Sequence, residues 1–253
     1  MLSNDTCEKL KGMGLEEFLK GLEEQRIVGT YEDMPFEERF SMLIDYVHKA
    51  KTAKKLRALI NRARFRFKEA DANSIIYENR TIDKQQMLQL LTCQFLDTAT
   101  NLIFVGVTGS GKTFLACAIG KAACRHGLAV FYVRLSVLFE MMATADGTIG
   151  GRHRLLNRLS KYDLLIIDEW ASHVLQADEP QFMFELIERR YGSKSTIICS
   201  QHPVNEWHAY LGGDATAESI LDRIVQNSIR VHTGSTNMRQ RLSPHPLMPE
   251  EET

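Results

Sequence analysis

Apolar residues recur at three- and four-residue steps through the first quarter of the chain, the period of amphipathic helices. Leu10, Leu15, Phe18, Leu19 and Leu22 mark one such face. Pro35 followed by Phe36, Glu37 and Glu38 predicts a first helical turn, where proline has no hydrogen bond to lose and acids meet the positive helix end. A longer helix follows, with Phe40, Leu43, Ile44, Val47, Ala50, Leu56, Leu59, Ile60 and Ala63 on one side. Residues 1–70 therefore read as a small helical domain. Between 71 and 82 the pattern lapses into Asp, Asn, Ser and Glu, which predicts a linker.

From residue 101 the pattern changes. Short runs at 102–105, 129–133, 164–167, 196–199 and 229–231 are apolar on both faces and alternate with helical stretches. Strands covered on both sides by crossover helices have this signature, so the spacing predicts a five-stranded parallel, doubly wound α/β sheet within 83–243. Residues 244–253, with Pro244, Pro246 and an acidic tip, read as a disordered tail.

Charge and composition narrow the function classes. With 31 basic and 32 acidic residues the chain has no global field to draw it onto nucleic acid or membrane, so any such attraction is local. The five cysteines stand singly, without metal-ligand spacing, and read as reduced core thiols. No apolar run matches a secretory signal or a membrane span, which predicts a cytoplasmic protein with no membrane partner.

One segment carries unmistakable chemistry. Gly106, Val107, Thr108, Gly109, Ser110, Gly111, Lys112 and Thr113 satisfy the full P-loop spacing, after an apolar strand and at the opening of a helix. A polyphosphate needs many donors at close range, and the glycines let backbone N–H groups curl inward. Lys112 is placed for the β- and γ-phosphates, Thr113 for Mg²⁺, and Phe114 opens a helix whose positive end adds to the cradle. ATP and Mg²⁺ are the expected cofactors. About fifty residues on, Asp168 and Glu169 leave a buried strand at its carboxyl end, where ligands bind in open parallel sheets. Asp168 is suited to hold Mg²⁺ and Glu169 to orient or deprotonate the attacking water, which favours hydrolysis over passive binding.

Other candidates surround this pair. Ser200 and Gln201 follow the run 196–199, and Gln201 either senses the γ-phosphate or caps a strand end; the sequence leaves both open. Arg223 is the candidate for a finger supplied to a neighbouring subunit's nucleotide, with a surface ion pair as the alternative. Residues 49–68 contain Lys51, Lys54, Lys55, Arg57, Arg62, Arg64 and Arg66 among nine cations and no acid. Phosphates are the natural partners of such a run, so sequence-independent duplex DNA binding is expected there. Arg152 and Arg154 either line a DNA path or flank a helix.

With these motifs the chain resembles the IstB family, helper ATPases of bacterial insertion sequences, and more distantly the DnaC and DnaI helicase loaders. Residues 115–120, 163–170, Arg190-Tyr191, 195–197, Ser200-Gln201 with Pro203-Val204 and Glu206-Trp207-His208, and 220–227 running on to Asn237-Met238-Arg239 carry the resemblance. It implies an AAA+ fold, homo-oligomers on duplex DNA in the ATP state, and delivery of bent target DNA to an IstA-type transposase that stimulates turnover. It also brings Arg239 to the nucleotide as a sensor, although about twenty residues beyond 231 imply a reduced or absent helical lid. Gln201 stands where the loaders tend to have Asn. A replicative helicase loader is the alternative function, and a non-enzymatic adaptor is the alternative from another class.

Overall fold

The computed structural model describes residues 2–28, 31, 33–78 and 80–241. The chain divides into two compact units, Met1–Ala58 and Leu59–Thr253. The tail at 244–253 lies outside the described residues.

In the first unit, α1 (Asn4–Gly12) starts on Ser3, whose side chain accepts the Thr6 N–H. It stops at Gly14, which adopts φ +68°, so the apolar face expected to be continuous is split between α1 and α2 (Glu16–Ile27). α3 (Phe36–Ala63) begins directly after Pro35. Gly21 lets α2 lie close to α3, because a Cβ there would sit 2.6 Å from Leu43 and 2.9 Å from Tyr46. Leu43 and Val47 are buried, and Phe18, Phe40 and Phe36 form a chain of ring contacts. Phe36, Phe40, Met42 and Ile44 nevertheless stay exposed, as so short a unit has little interior to hide them.

The second unit is built on a five-stranded parallel sheet in the order β2-β3-β4-β1-β5. After α4 (Lys84–Leu91), capped by the Asp83 carboxylate, come β1 (Asn101–Val105), α5 (Lys112–Arg125), β2 (Val130–Arg134), α6 (Leu135–Asp146) and α7 (Gly151–Ser160). β3 (Leu164–Trp170), α8 (Glu179–Arg190), β4 (Ser195–Ser200), α9 (Trp207–Tyr210), α10 (Ala215–Val225), β5 (Ser228–His232) and α11 (Met238–Arg241) complete it. Every residue of β4 is buried, and β1, β2 and β3 each bury at least their first four, which is why these runs lack the alternation of a half-exposed strand. β4 lies between β1 and β3, so whatever leaves its carboxyl end stands between the loops that leave those two strands.

Two buried polar side chains tie the layers. Asn101 accepts the Thr196 N–H through Oδ1 at 2.9 Å and donates to the Ile224 carbonyl at 3.2 Å, joining β1, β4 and α10. Arg190, 1 % exposed, spends its guanidinium on Thr196 Oγ1 and the Leu159 and Tyr162 carbonyls. Burial pulls it down to about 9. Arg190, which the sequence marks only through the family resemblance, is thus part of the core.

The division between units falls at Ala58/Leu59, earlier than the boundary expected at residue 70, and beyond it Phe65, Lys68 and Asp71 meet α5. α3 ends at Ala63, Arg64 turns the backbone at φ 58°, and Phe65 is buried against α5, where a Cβ on Gly120 would meet its ring at 2.6 Å. Lys121 donates to the Lys68 carbonyl at 3.1 Å, and Arg125 pairs with Asp71. The stretch read as a linker at 71–82 is pinned at both ends, since Arg80 donates to the Ser110 carbonyl in the P-loop. Polar composition marked it as non-helical but could not reveal these anchors.

Candidate nucleotide-hydrolysis site

The loop from Gly106 to Gly111 leaves β1 and feeds α5. Gly109 and Gly111 take φ +83° and +89°, left-handed conformations that glycine adopts without Cβ strain. At Gly109 close approach matters too, for a Cβ would collide with the Asn237 side-chain oxygen. The loop is braced from the carboxyl-terminal side: Ser110 and Thr233 share a hydroxyl hydrogen bond at 2.6 Å, and Met238 N–H donates to the Gly109 carbonyl at 2.9 Å.

A cavity of about 660 Å³ opens over this loop. The sequence candidates Thr108, Gly109, Gly111, Lys112, Thr113, Phe114, Asp168, Glu169, Gln201 and Arg239 all line it. Lys112 Nζ donates to the Gly106 and Val107 carbonyls at 2.6 and 2.8 Å, and among the described residues no carboxylate forms an ion pair with it. Burial draws the Lys112 ammonium below the usual lysine range, with the Arg239 charge acting in the same direction. A half-buried cation bonded only to carbonyls favours an incoming anion.

Thr113 and Asp168 meet across the cavity floor, with Thr113 Oγ1 donating to Asp168 Oδ2 at 2.9 Å. Tyr132 OH donates to the same oxygen at 2.8 Å, and the Glu169 N–H to Oδ1 at 3.0 Å. One hydroxyl and one oriented carboxylate suit Mg²⁺, which keeps most of its shell as water and phosphate oxygens. The described residues hold no cluster of three His, Cys, Asp or Glu side chains that would make a protein-only metal cage.

Asp168 and Glu169 lie inside β3 rather than beyond its end. The register against β4 shifts between Ile167 and Trp170, and Glu169 sits at φ 60°. That irregularity carries two neighbouring acids to one cavity, whereas a regular strand would point them to opposite faces. Glu169 Oε1 accepts from Arg66 Nη1 at 3.1 Å, and Arg134 approaches Oε2 at 4.0 Å. Gln201 leaves β4 and accepts the Thr108 hydroxyl at 2.8 Å, which ties it to the P-loop.

The remaining candidates separate by environment. Arg223 is outside the cavity lining, paired with Glu188 and stacked over Phe184 and Tyr191 at 5.1 and 6.0 Å from the ring centres. Lys51, Lys54, Lys55 and Arg57 are exposed on α3 in the first unit, and Arg62 is exposed near its end. Arg64 lies over the Phe131 ring at 5.9 Å. Arg66, grouped by sequence with the DNA-facing cations, lines the cavity instead. Arg152 is engaged by Asp146 and Asp178 at 2.6 and 3.1 Å, so its charge is largely matched, and Arg154 donates to the Ile149 carbonyl at 2.9 Å.

Sequence reasoning missed Tyr132, Arg80 and the bracing by Thr233 and Asn237. The available signal for Tyr132 was a phenol within an otherwise apolar strand; Asn237 stood only among the residues that carry the family resemblance, and Arg80 offered none, since chain folding alone brings it to the loop.

The family described as IstB-like ATP binding protein matches residues 8–245. Among curated relatives, the insertion sequence ATP-binding protein y4pL of Sinorhizobium fredii is 34 % identical over 241 residues, covering 95 % of this chain and 98 % of its own. The IS1162 ATP-binding protein of Pseudomonas fluorescens is 32 % identical over 204 residues, 80 % of this chain and 88 % of its own. Among solved structures, DnaI aligns with a TM-score of 0.56 at 16 % identity over 72 % of this chain and 93 % of its own. The DnaC helicase loader gives 0.54 at 20 % identity, over 64 % and 96 %. These likenesses establish the AAA+ P-loop fold. Among the described residues no helix is long and apolar enough to cross a membrane.

Proposed function

The chain belongs to the IstB-like ATP-binding family of insertion sequences, and from that premise we propose that it is an ATP-hydrolysing helper of DNA transposition. In this reading it assembles on duplex target DNA, remodels it and hands it to a partner transposase, and hydrolysis resets the assembly. The observation that carries the ATPase part is the convergence of Lys112, Thr113, Asp168 and Glu169 on one cavity. End-to-end similarity to insertion sequence proteins, rather than to a single shared domain, supports the transposition part.

Each residue has a role in this scheme. Lys112 meets the β- and γ-phosphates, and the loop N–H groups replace their water. Thr113 and Asp168 would hold Mg²⁺, which supplies charge neutralisation on the phosphates when bound. Tyr132 fixes the Asp168 carboxylate, and Glu169 orients the attacking water and takes its proton. Gln201 senses the γ-phosphate through its tie to Thr108, and Arg239 approaches it from the carboxyl-terminal segment. Arg223, remote from its own cavity, serves a neighbouring subunit of a homo-oligomer.

Glu169→Gln tests the scheme. It is expected to bind ATP, assemble on duplex DNA and fail to disassemble, as followed by sedimentation or electron microscopy. Normal release by this variant contradicts the cycle. A preference for single-stranded over duplex DNA in the same assay transfers the chain to the helicase-loader role.

A further inference from the structure

Two cations rest on the carbonyls of the phosphate loop, and the P-loop spacing calls for only one of them. Lys112 bonds the Gly106 and Val107 carbonyls from within the loop. Arg80 comes from outside it, donating Nη2 to the Ser110 carbonyl and Nη1 to the Ile76 carbonyl at 3.1 Å. The segment that carries Arg80 is anchored on both ends of α5. Asp71 pairs with Arg125 in the last turn of that helix, and Arg80 reaches the glycine that opens it, where a Cβ on Gly111 would stand 3.1 Å from Nη2. Arg80 thereby lines the cavity beside Ser74, Ile76 and Gly111.

Its charge is unmatched. Among the described residues no carboxylate forms an ion pair with Arg80, and its Nε is buried without a hydrogen-bond partner. Burial draws the guanidinium below the ordinary arginine range, and the neighbouring Arg241 charge acts in the same direction. A partly buried cation that faces a second cation and holds a spare donor gains from an incoming anion. A phosphate oxyanion is bonded more strongly than a neutral carbonyl and matches the guanidinium fork bidentately. Position selects which phosphate. Glu169 and Gln201 reach the cavity from β3 and β4, whereas Arg80 enters with Ser74 and Ile76 at the glycine that opens α5. The β- and γ-phosphates fall to Lys112, which leaves the phosphate next to the nucleoside for Arg80.

We propose that Arg80 is a further nucleotide-binding residue, which exchanges the Ser110 carbonyl for the α-phosphate of the bound nucleotide and so holds ATP and ADP alike. This rests on reading the cavity as a nucleotide site.

The test is calorimetric titration of the full chain with ATP and with ADP, each with Mg²⁺, for the parent, Arg80→Gln and Arg80→Lys. Glutamine keeps a donor for the Ser110 carbonyl but carries no charge, so it separates an anion contact from a brace of the loop. Arg80→Gln is expected to weaken ATP and ADP by the same factor, about tenfold, the scale of a hydrogen bond to a charged group. In steady-state turnover the loss falls on KM rather than on kcat, because the contact is equal in ground and transition states. Arg80→Lys, which restores the charge without the fork, loses about threefold and serves if the glutamine variant does not fold. Parent-like affinity for both nucleotides in Arg80→Gln leaves Arg80 a brace and overturns the proposal, as does a loss confined to ATP, which would place the contact on the γ-phosphate. No heat from the parent with either nucleotide overturns the nucleotide reading itself.

Discussion

Along residues 49–68, where no acid interrupts the cations, Lys51, Lys54, Lys55 and Arg57 face solvent with no hydrogen bond or ion pair among the described residues. Arg66, nine positions past Arg57, bonds the candidate catalytic acid and lines the nucleotide cavity. One composition thus serves two environments. A helix surface leaves cations free for long-range attraction to phosphates, whereas the segment after α3, pinned by Phe65 on α5 and by the Phe67 ring 5.9 Å from that of Phe114, spends the Arg66 cation on a single carboxylate. The proposed function gives nucleotide chemistry to the cavity group and DNA attraction to the helix group, and each proposed assignment can be broken separately.

The largest effect belongs to the cavity. Lys112→Ala is expected to abolish ATP-dependent assembly while leaving nucleotide-free DNA attraction in place; filter binding with and without ATP separates the two. Glu169→Gln should lower kcat by about a thousandfold while keeping ATP affinity, the range set by loss of a general base. Arg223→Ala should leave ATP binding intact and remove the part of turnover that grows with protein concentration, because its guanidinium is engaged by Glu188 outside its own cavity. In the helix group, alanine at Lys54 or Lys55 should reduce the slope of log K against log salt by about 0.9 for each phosphate that is no longer neutralised. Equal slopes in variant and parent would remove that helix from the DNA interface.

The smallest effect concerns Asp71, which anchors the segment after α3 on Arg125 of α5. Burial alone would raise the Asp71 carboxyl, but Arg125 and the Asn73 N–H hold it below the ordinary 3.8. A depressed folded-state value means stability that is present above the unfolded-state pKa and lost as pH falls through the folded one. Asp71→Asn should therefore cost about 1 kcal/mol at neutral pH, with the two melting curves converging below pH 3.8.

The sheet was legible because its strands are buried on both faces and separated by helical crossovers, and the P-loop because its backbone geometry demands glycines at fixed spacing. β3 was harder. Its register shift, which turns Asp168 and Glu169 to one cavity, leaves no mark in an apolar run followed by two acids. The break at Gly14 was visible in principle, since a left-handed glycine ends a helix, but the apolar period on either side masked it. Arg66, Arg80 and Asn237 reach the site by tertiary packing, and charge patterning could place Arg66 only with its sequence neighbours. The family resemblance supplied the AAA+ fold, which periodicity alone reached only as a doubly wound sheet.

The central claim is that the cavity over Gly106–Thr113 grips magnesium-bound ATP. Calorimetric titration of the purified, folded chain with ATP and Mg²⁺ should release heat with about one site per chain, and Lys112→Ala should release none. Equal heats from both proteins, or none from the parent, would contradict it.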